Sequence, residues 1–120
     1  MEKENKFKQG LLEAIDSLKS AIINDNIPEI LSLIKKFGID SSHNSIVLDF
    51  LQEFLINDIK NYLYTNKRKT LKVCRRGKYN TEVQDFYKIE NDILIRNGND
   101  VKWTSVGKLY QAYKFIHNIN

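Results

Sequence analysis

Cysteine occurs once in the 120 residues, at Cys74, and proline once, at Pro28. A single cysteine closes no internal disulfide, so the fold must rest on its hydrophobic core, and a chain of this length buries roughly two thirds of its unfolded surface. The five glycines form no cluster ahead of a helix, and Gly107-Lys108 lacks the upstream glycine of a phosphate-cradling loop, which removes nucleotide hydrolysis from the candidate activities. The two histidines, His43 and His117, have no Cys, His or carboxylate at ligand spacing, so neither a metal centre nor a cofactor is expected. No apolar run approaches the roughly 18 residues of a membrane span. The opening MEKENKFKQG mixes charges where a secretory signal would be basic and then apolar, and with the lone cysteine this reads as a cytoplasmic protein.

Charge is present and unevenly placed. Residues 1–66 hold seven Lys and ten acids, whereas residues 67–120 hold twelve Lys plus Arg and five acids. Seven of those twelve cations fall in one acid-free stretch, KRKTLKVCRRGKY, Lys67 to Tyr79. Locally concentrated cations favour a polyanionic partner, because binding releases the counterions condensed on a phosphate backbone. Three of the four arginines in the chain, Arg68, Arg75 and Arg76, lie in this stretch, and the planar guanidinium fork suits phosphate or a guanine edge better than lysine does. The abundance of Lys, Asn and Ile suggests an AT-rich genome, such as that of a low-GC bacterium, its phages or other mobile elements.

Periodicity divides the chain into a helical half and a strand-rich half. Phe7, Leu11, Leu12, Ile15, Leu18 and Ile22 recur at the spacing of one helical face. After NDNIP, with Asp25 or Asn26 as cap and Pro28 in the first turn, Ile30, Leu31, Ile34 and Phe37 form a second short face that Gly38 can close. Val47, Phe50, Leu51, Phe54, Leu55, Ile59, Tyr62 and Leu63 predict a third and longest helix. The period then changes to two. Leu71 and Val73 alternate with Thr70, Lys72 and Cys74, Arg76-Gly77 offers a turn, and KYNTEVQDFY continues the alternation. DILIR, NGND and VKWT predict a second hairpin, and Val106, Leu109, Tyr110, Tyr113 and Ile116 a closing helix capped by Thr104 or Ser105. The expected fold is α+β: three N-terminal helices, a small antiparallel sheet of two hairpins and a C-terminal helix. No linker separates a helical 1–66 from a ββββα 67–120, so residues 1–120 are expected to form a single domain.

Catalytic chemistry has little to build on, and no enzymatic activity is expected. Glu82, Asp85, Glu90 and Asp92 lack the E-x-K arrangement of a metal-dependent nuclease and read as solvated strand and turn charges. Cys74, among Lys72, Arg75 and Arg76, is a candidate thiolate or a small buried hydrophobe. Tyr79, Phe86, Tyr87 and Trp103 offer faces on which bases could stack beside the cations.

LKVCRRGKYNTEV, ENDILIRNG and VKWTSVGKLYQAY together resemble the restriction-enzyme adenine-methylase-associated domain, over Leu71 to Tyr113. That pattern is a Gly-containing strand pair, a short strand ending in Asn or Asp-Gly, and an aromatic-x-Ser-Pro-Ser step into a small-residue helix. Val106 replaces its proline, Gly107 its second serine, and Leu109 and Tyr110 its alanines. The resemblance implies a link to DNA-modification systems and binding of modified DNA.

The expected function is therefore non-enzymatic binding of DNA or RNA through the basic hairpin, with Lys67, Arg68, Lys69, Lys72, Arg75, Arg76, Lys78 and Tyr79 as the contact residues. By the two-residue period, Arg68, Lys72 and Arg76 share one side of the first strand and contact phosphates, with Arg75 at the turn as the reader of a base edge. Two other readings use the same cations. An inhibitor or anti-defence module of a phage or mobile element would press them against a protein partner, and a sheet edge with no ligand would carry them to discourage pairing with other chains.

Overall fold

The computed structural model describes residues 2–40 and 45–117, and the side chains of the first helix from Leu12 onward. Its order is α1 (Glu2–Ile23), α2 (Ile27–Ile34), α3 (Ser45–Thr65), β1 (Thr70–Arg76), β2 (Glu82–Glu90), β3 (Ile93–Arg96), β4 (Asn99–Asp100) and α4 (Val106–Ile116). The fold is α+β, with helices, a four-stranded antiparallel sheet and a C-terminal helix. It comprises two compact units, 1–51 and 52–120, and the division falls inside α3, upstream of the change of period at Asn66. The later turns of α3 belong with the sheet because Leu55, Ile59 and Leu63 are fully buried and the side chains of Gln52 and Lys60 bond to the Lys102 and Asp92 carbonyls.

In the first unit, the buried face of α1 is Ala14, Leu18 and Ala21, at i, i+4 and i+7. Leu12 is exposed and Ile15 and Ile22 are half-buried, so the stripe runs through small residues that let α1 approach α2 closely. Phe7 and Leu11 lie outside the described side chains. Asn26 caps α2 by accepting from the Glu29 backbone N–H at 3.3 Å, and Ile30, Leu31, Leu33 and Ile34 are buried. Gly38 does not end this helix. A turn of π-helix, Lys35–Ile39, carries the chain through it. His43 lies outside the described residues.

In the second unit the sheet is a simple meander, β1-β2-β3-β4. The expected pair of hairpins is joined by a third pairing, β2 with β3, through a two-residue turn whose Asn91 and Asp92 both take positive φ. Asn97-Gly98 makes the β3–β4 turn in the same way, with φ of 50° and 86°. β4 is only Asn99–Asp100. VKW, expected as strand, is a 3-10 turn capped by the Asp100 carboxylate on the Lys102 N–H, and Gln52 of α3 donates to the Lys102 and Thr104 carbonyls at 2.8 and 3.1 Å. Ser105 caps α4.

Strand alternation gives the sheet an inner and an outer face. Leu71, Val73, Tyr87 and Leu94 point inward and are buried, as are Leu109, Ala112 and Tyr113 of α4, which packs on β1. The inward Tyr87 cannot serve as a stacking face. Its register partner is Arg96, and burial pushes the Tyr87 phenol up to about 12. The hydroxyl has no hydrogen-bond partner among the described residues. A buried donor without a partner costs free energy that a same-shaped apolar group avoids. Tyr87→Phe is therefore expected to unfold in urea at the wild-type midpoint or above it, and a loss of more than about 1 kcal/mol would show that the hydroxyl is satisfied in solution.

Candidate nucleic-acid interface

The inner face carries one carboxylate. Asp85 is 1% exposed, between Val83 and Tyr87 on a strand whose alternate residues face the core. Its two flanking strands each send a guanidinium to it along the sheet diagonal. Arg75 of β1 donates through Nε to Oδ2 at 2.6 Å, Arg96 of β3 donates to Oδ1 at 2.9 Å, and the Asn97 amide donates to Oδ1 at 3.3 Å. The Asn97 side chain also accepts from the Phe86 N–H at 2.8 Å, which fixes the β3–β4 turn against β2. Burial alone would raise the Asp85 carboxyl, but the hydrogen bonds and charges of Arg75 and Arg96 outweigh it and hold the group below the usual carboxylate range.

This arrangement corrects two expectations. Asp85 is a buried ion-pair centre, not a solvated charge like the exposed Glu82, Glu90 and Asp92. Arg75 is a strand residue facing inward, not a turn residue, and its Nε–H is held by Asp85. The alternation Leu71, Val73, Arg75 on β1 and Val83, Asp85, Tyr87 on β2 carried the signal, since it places one opposite charge on each apolar face.

The other six cations of the basic stretch make no ion pair among the described residues. They are spread along β1, a strand of seven residues and so about 20 Å long, with Lys67, Arg68 and Lys69 before it, Lys72 within it and Arg76 and Lys78 at its far end. Lys72 and Arg76 stand on the outer face with the exposed Cys74, and Lys78 follows in the connection to β2. Lys67, Arg68 and Lys69 lie in the α3–β1 turn, so Arg68 precedes the strand and does not share its face as the period suggested.

Aromatic rings reach solvent beside two of these cations, and a third ring does so in the 3-10 turn that follows β4. Phe86, opposite Lys72 in register, is 56% exposed at the middle of the outer face, Tyr79 is 86% exposed and Trp103 80%. Each has a lysine ammonium over its ring: Lys72 at 5.6 Å from the Phe86 centroid, Lys78 at 5.4 Å from Tyr79 and Lys102 at 5.4 Å from Trp103. The acids of this face are Glu82, across from Arg76, Glu90, 3.4 Å from Lys88, and Asp100, which caps the turn after β4.

Backbone strain singles out the same places. Lys67 has φ +52° and Tyr79 φ +66°, a region in which a non-glycine residue is disfavoured by about 1–2 kcal/mol. At Lys67 the strain closes α3: its N–H reaches the Tyr64 carbonyl at 3.1 Å and the Arg68 N–H reaches the Leu63 carbonyl at 2.8 Å, the paired bonds of a helix end at which glycine is the usual residue. The histidine at the other end of the unit is engaged as well. His117 Nε2 lies 3.0 Å from Asp58 Oδ2, a carboxylate that the fold supplies and sequence spacing does not, and the imidazole packs at a 48° tilt against Tyr113, 4.3 Å between ring centres. No cluster of three or more His, Cys, Asp or Glu able to hold a metal exists among the described residues.

Two outcomes follow. Asp85→Asn should destabilise the chain by about 3 kcal/mol at neutral pH, since it removes the charge between two guanidiniums. The folded-state value of Asp85 is lowered, so its contribution is complete above the unfolded value of about 4 and is lost as pH falls through the folded one. Urea midpoints measured on descending pH should therefore fall more steeply for the wild type than for the variant below about pH 4. Lys67→Gly should keep or raise stability by up to about 1 kcal/mol while weakening any polyanion binding, a split in sign that a purely structural lysine would not give.

Comparison with family models, with curated proteins and with solved structures finds no match to this chain, so the likeness of Leu71 to Tyr113 to the methylase-associated domain stands on its quoted residues alone.

Proposed function

We propose that this chain is a non-enzymatic protein that binds single-stranded DNA or RNA across the outer face of its sheet. One observation carries the reading: Phe86 and Tyr79 hold their rings in solvent under Lys72 and Lys78, beside cations that make no ion pair among the described residues. Exposed rings on an open sheet suit unstacked bases, which every sequence offers, and the cations suit the phosphates between them. A duplex, whose bases are already stacked, would leave the rings unused.

An edge strand with nothing to bind accounts for less. β1 does lie at the sheet edge, and lysines there discourage pairing. That need explains neither a phenylalanine exposed at the centre of the face nor a tyrosine held at positive φ with its ring outward. The strand of nucleic acid would run along β1 and the middle of β2, away from the Lys88–Glu90 pair.

Fluorescence anisotropy of a labelled single strand across a salt series tests this. Lys72→Ala with Arg76→Ala should flatten the slope of log affinity against log salt, by about 0.7 for each phosphate contact removed. Phe86→Ala should weaken binding by about 1–3 kcal/mol and leave that slope unchanged, because stacking releases no counterions. A wild type that binds no single strand at low salt would overturn the proposal and turn the search to a protein partner for the same face.

A further inference from the structure

The cations at the start of β1 border a cleft of about 430 Å³ lined by Leu63, Tyr64, Lys67, Arg68, Lys69, Ile89 and Asn91, all within the second unit. Its size is that of a small-molecule site. The buried Leu63 and half-buried Ile89 supply apolar floor, and Tyr64 supplies an aromatic wall. That wall is held in place. The Tyr64 hydroxyl donates to Asp92 Oδ1, and the ammonium of Lys60 holds Asp92 in turn, 2.7 Å from its carbonyl oxygen and 3.6 Å from its carboxylate. The hydrogen bond to Asp92 raises the Tyr64 phenol, and the same bond, with the Lys60 charge, lowers the Asp92 carboxyl. The Asn91 side chain adds an amide able to donate and accept, and it stands on a β2–β3 turn of fixed geometry.

Anionic and flat are the two properties these walls select together. Lys67, Arg68 and Lys69 offer three unneutralised cations at the mouth, Tyr64 with the floor offers a face for a planar ring, and Asn91 offers hydrogen bonds to that ring's edge. Resting on the binding mode proposed above, we infer that the cleft takes one unstacked nucleotide of the bound single strand, its base against Tyr64 and its phosphate on Lys67 to Lys69. Ile89 is in the inward row of β2, so the bound strand rounds the sheet edge at β1 to reach Arg76 on the outer face, and the cleft anchors one end of it.

The test is single-strand affinity and photocrosslinking on the full chain. Tyr64→Leu should weaken binding of a labelled oligonucleotide roughly 5- to 160-fold at unchanged salt slope, the range of one lost base–aromatic stack. Tyr64→Phe, which keeps the ring, should stay much closer to wild type. In the wild-type protein, irradiation of a 4-thiouridine-containing strand should crosslink within 64–69 or at Asn91. Wild-type affinity in Tyr64→Leu, or crosslinks confined to Tyr79, Phe86 and Trp103, would overturn the cleft while leaving the sheet-face reading intact. Absence of all single-strand binding at low salt would remove both. The crosslink decides the matter even if Tyr64→Leu fails to fold.

Discussion

A carboxylate taken out of water has to be met by opposite charge, and in this chain the carboxylate is Asp85. Its position between Arg75 and Arg96 joins three consecutive strands on their buried face. The consequence reaches beyond that face. Side chains alternate along a strand, so drawing Arg75 inward turns Lys72, Cys74 and Arg76 outward, and drawing Asp85 inward does the same for Phe86. A slip of one residue in either strand would bury Lys72 or Phe86 and expose the ion pair. The buried network thus sets the phase of the surface proposed to bind.

The seven cations of one short stretch have divided roles for the same reason. Arg75 is bonded to Asp85, while the other six make no ion pair among the described residues and line β1 from the α3–β1 turn to the start of the connection to β2. Two of the strained residues, Lys67 and Tyr79, stand at the two ends of that line. Strain at a turn persists when the surroundings over-determine it, and here each strained residue presents a side chain of the kind the proposed ligand needs, an ammonium at Lys67 and a ring at Tyr79. Glycine at either place would relieve the backbone and remove the group.

Much of the architecture could be read before any coordinates. The change of period near Asn66, the asparagine cap before Pro28 and the Asn97-Gly98 turn are local signals, and each corresponds to an element of the structure. The less legible parts depended on contacts between distant residues. VKW continues the alternation of a strand, yet the Asp100 cap and the Gln52 hydrogen bonds from α3 wind it into a 3-10 turn. The apolar face of α1 was assigned through Leu12 and Ile22 because large residues dominate a periodicity count, whereas the close approach to α2 uses Ala14 and Ala21.

The candidate site divides along the same line. Composition and spacing by themselves determined that the chain concentrates cations after residue 66, interleaves them with aromatics in β-forming sequence and lacks the metal-ligand and phosphate-loop motifs of an enzyme. Those are properties of residues near one another along the backbone. Only the tertiary structure decided that Arg75 turns inward to Asp85 and Tyr87 is buried, that Phe86 faces solvent, and that Tyr64 and Asn91 meet Lys67 to Lys69 around one cleft. Tyr64 and Asn91 are far apart in sequence and on elements of different period. Strand pairing and the packing of α3 against the sheet bring them together, and no local pattern records that approach.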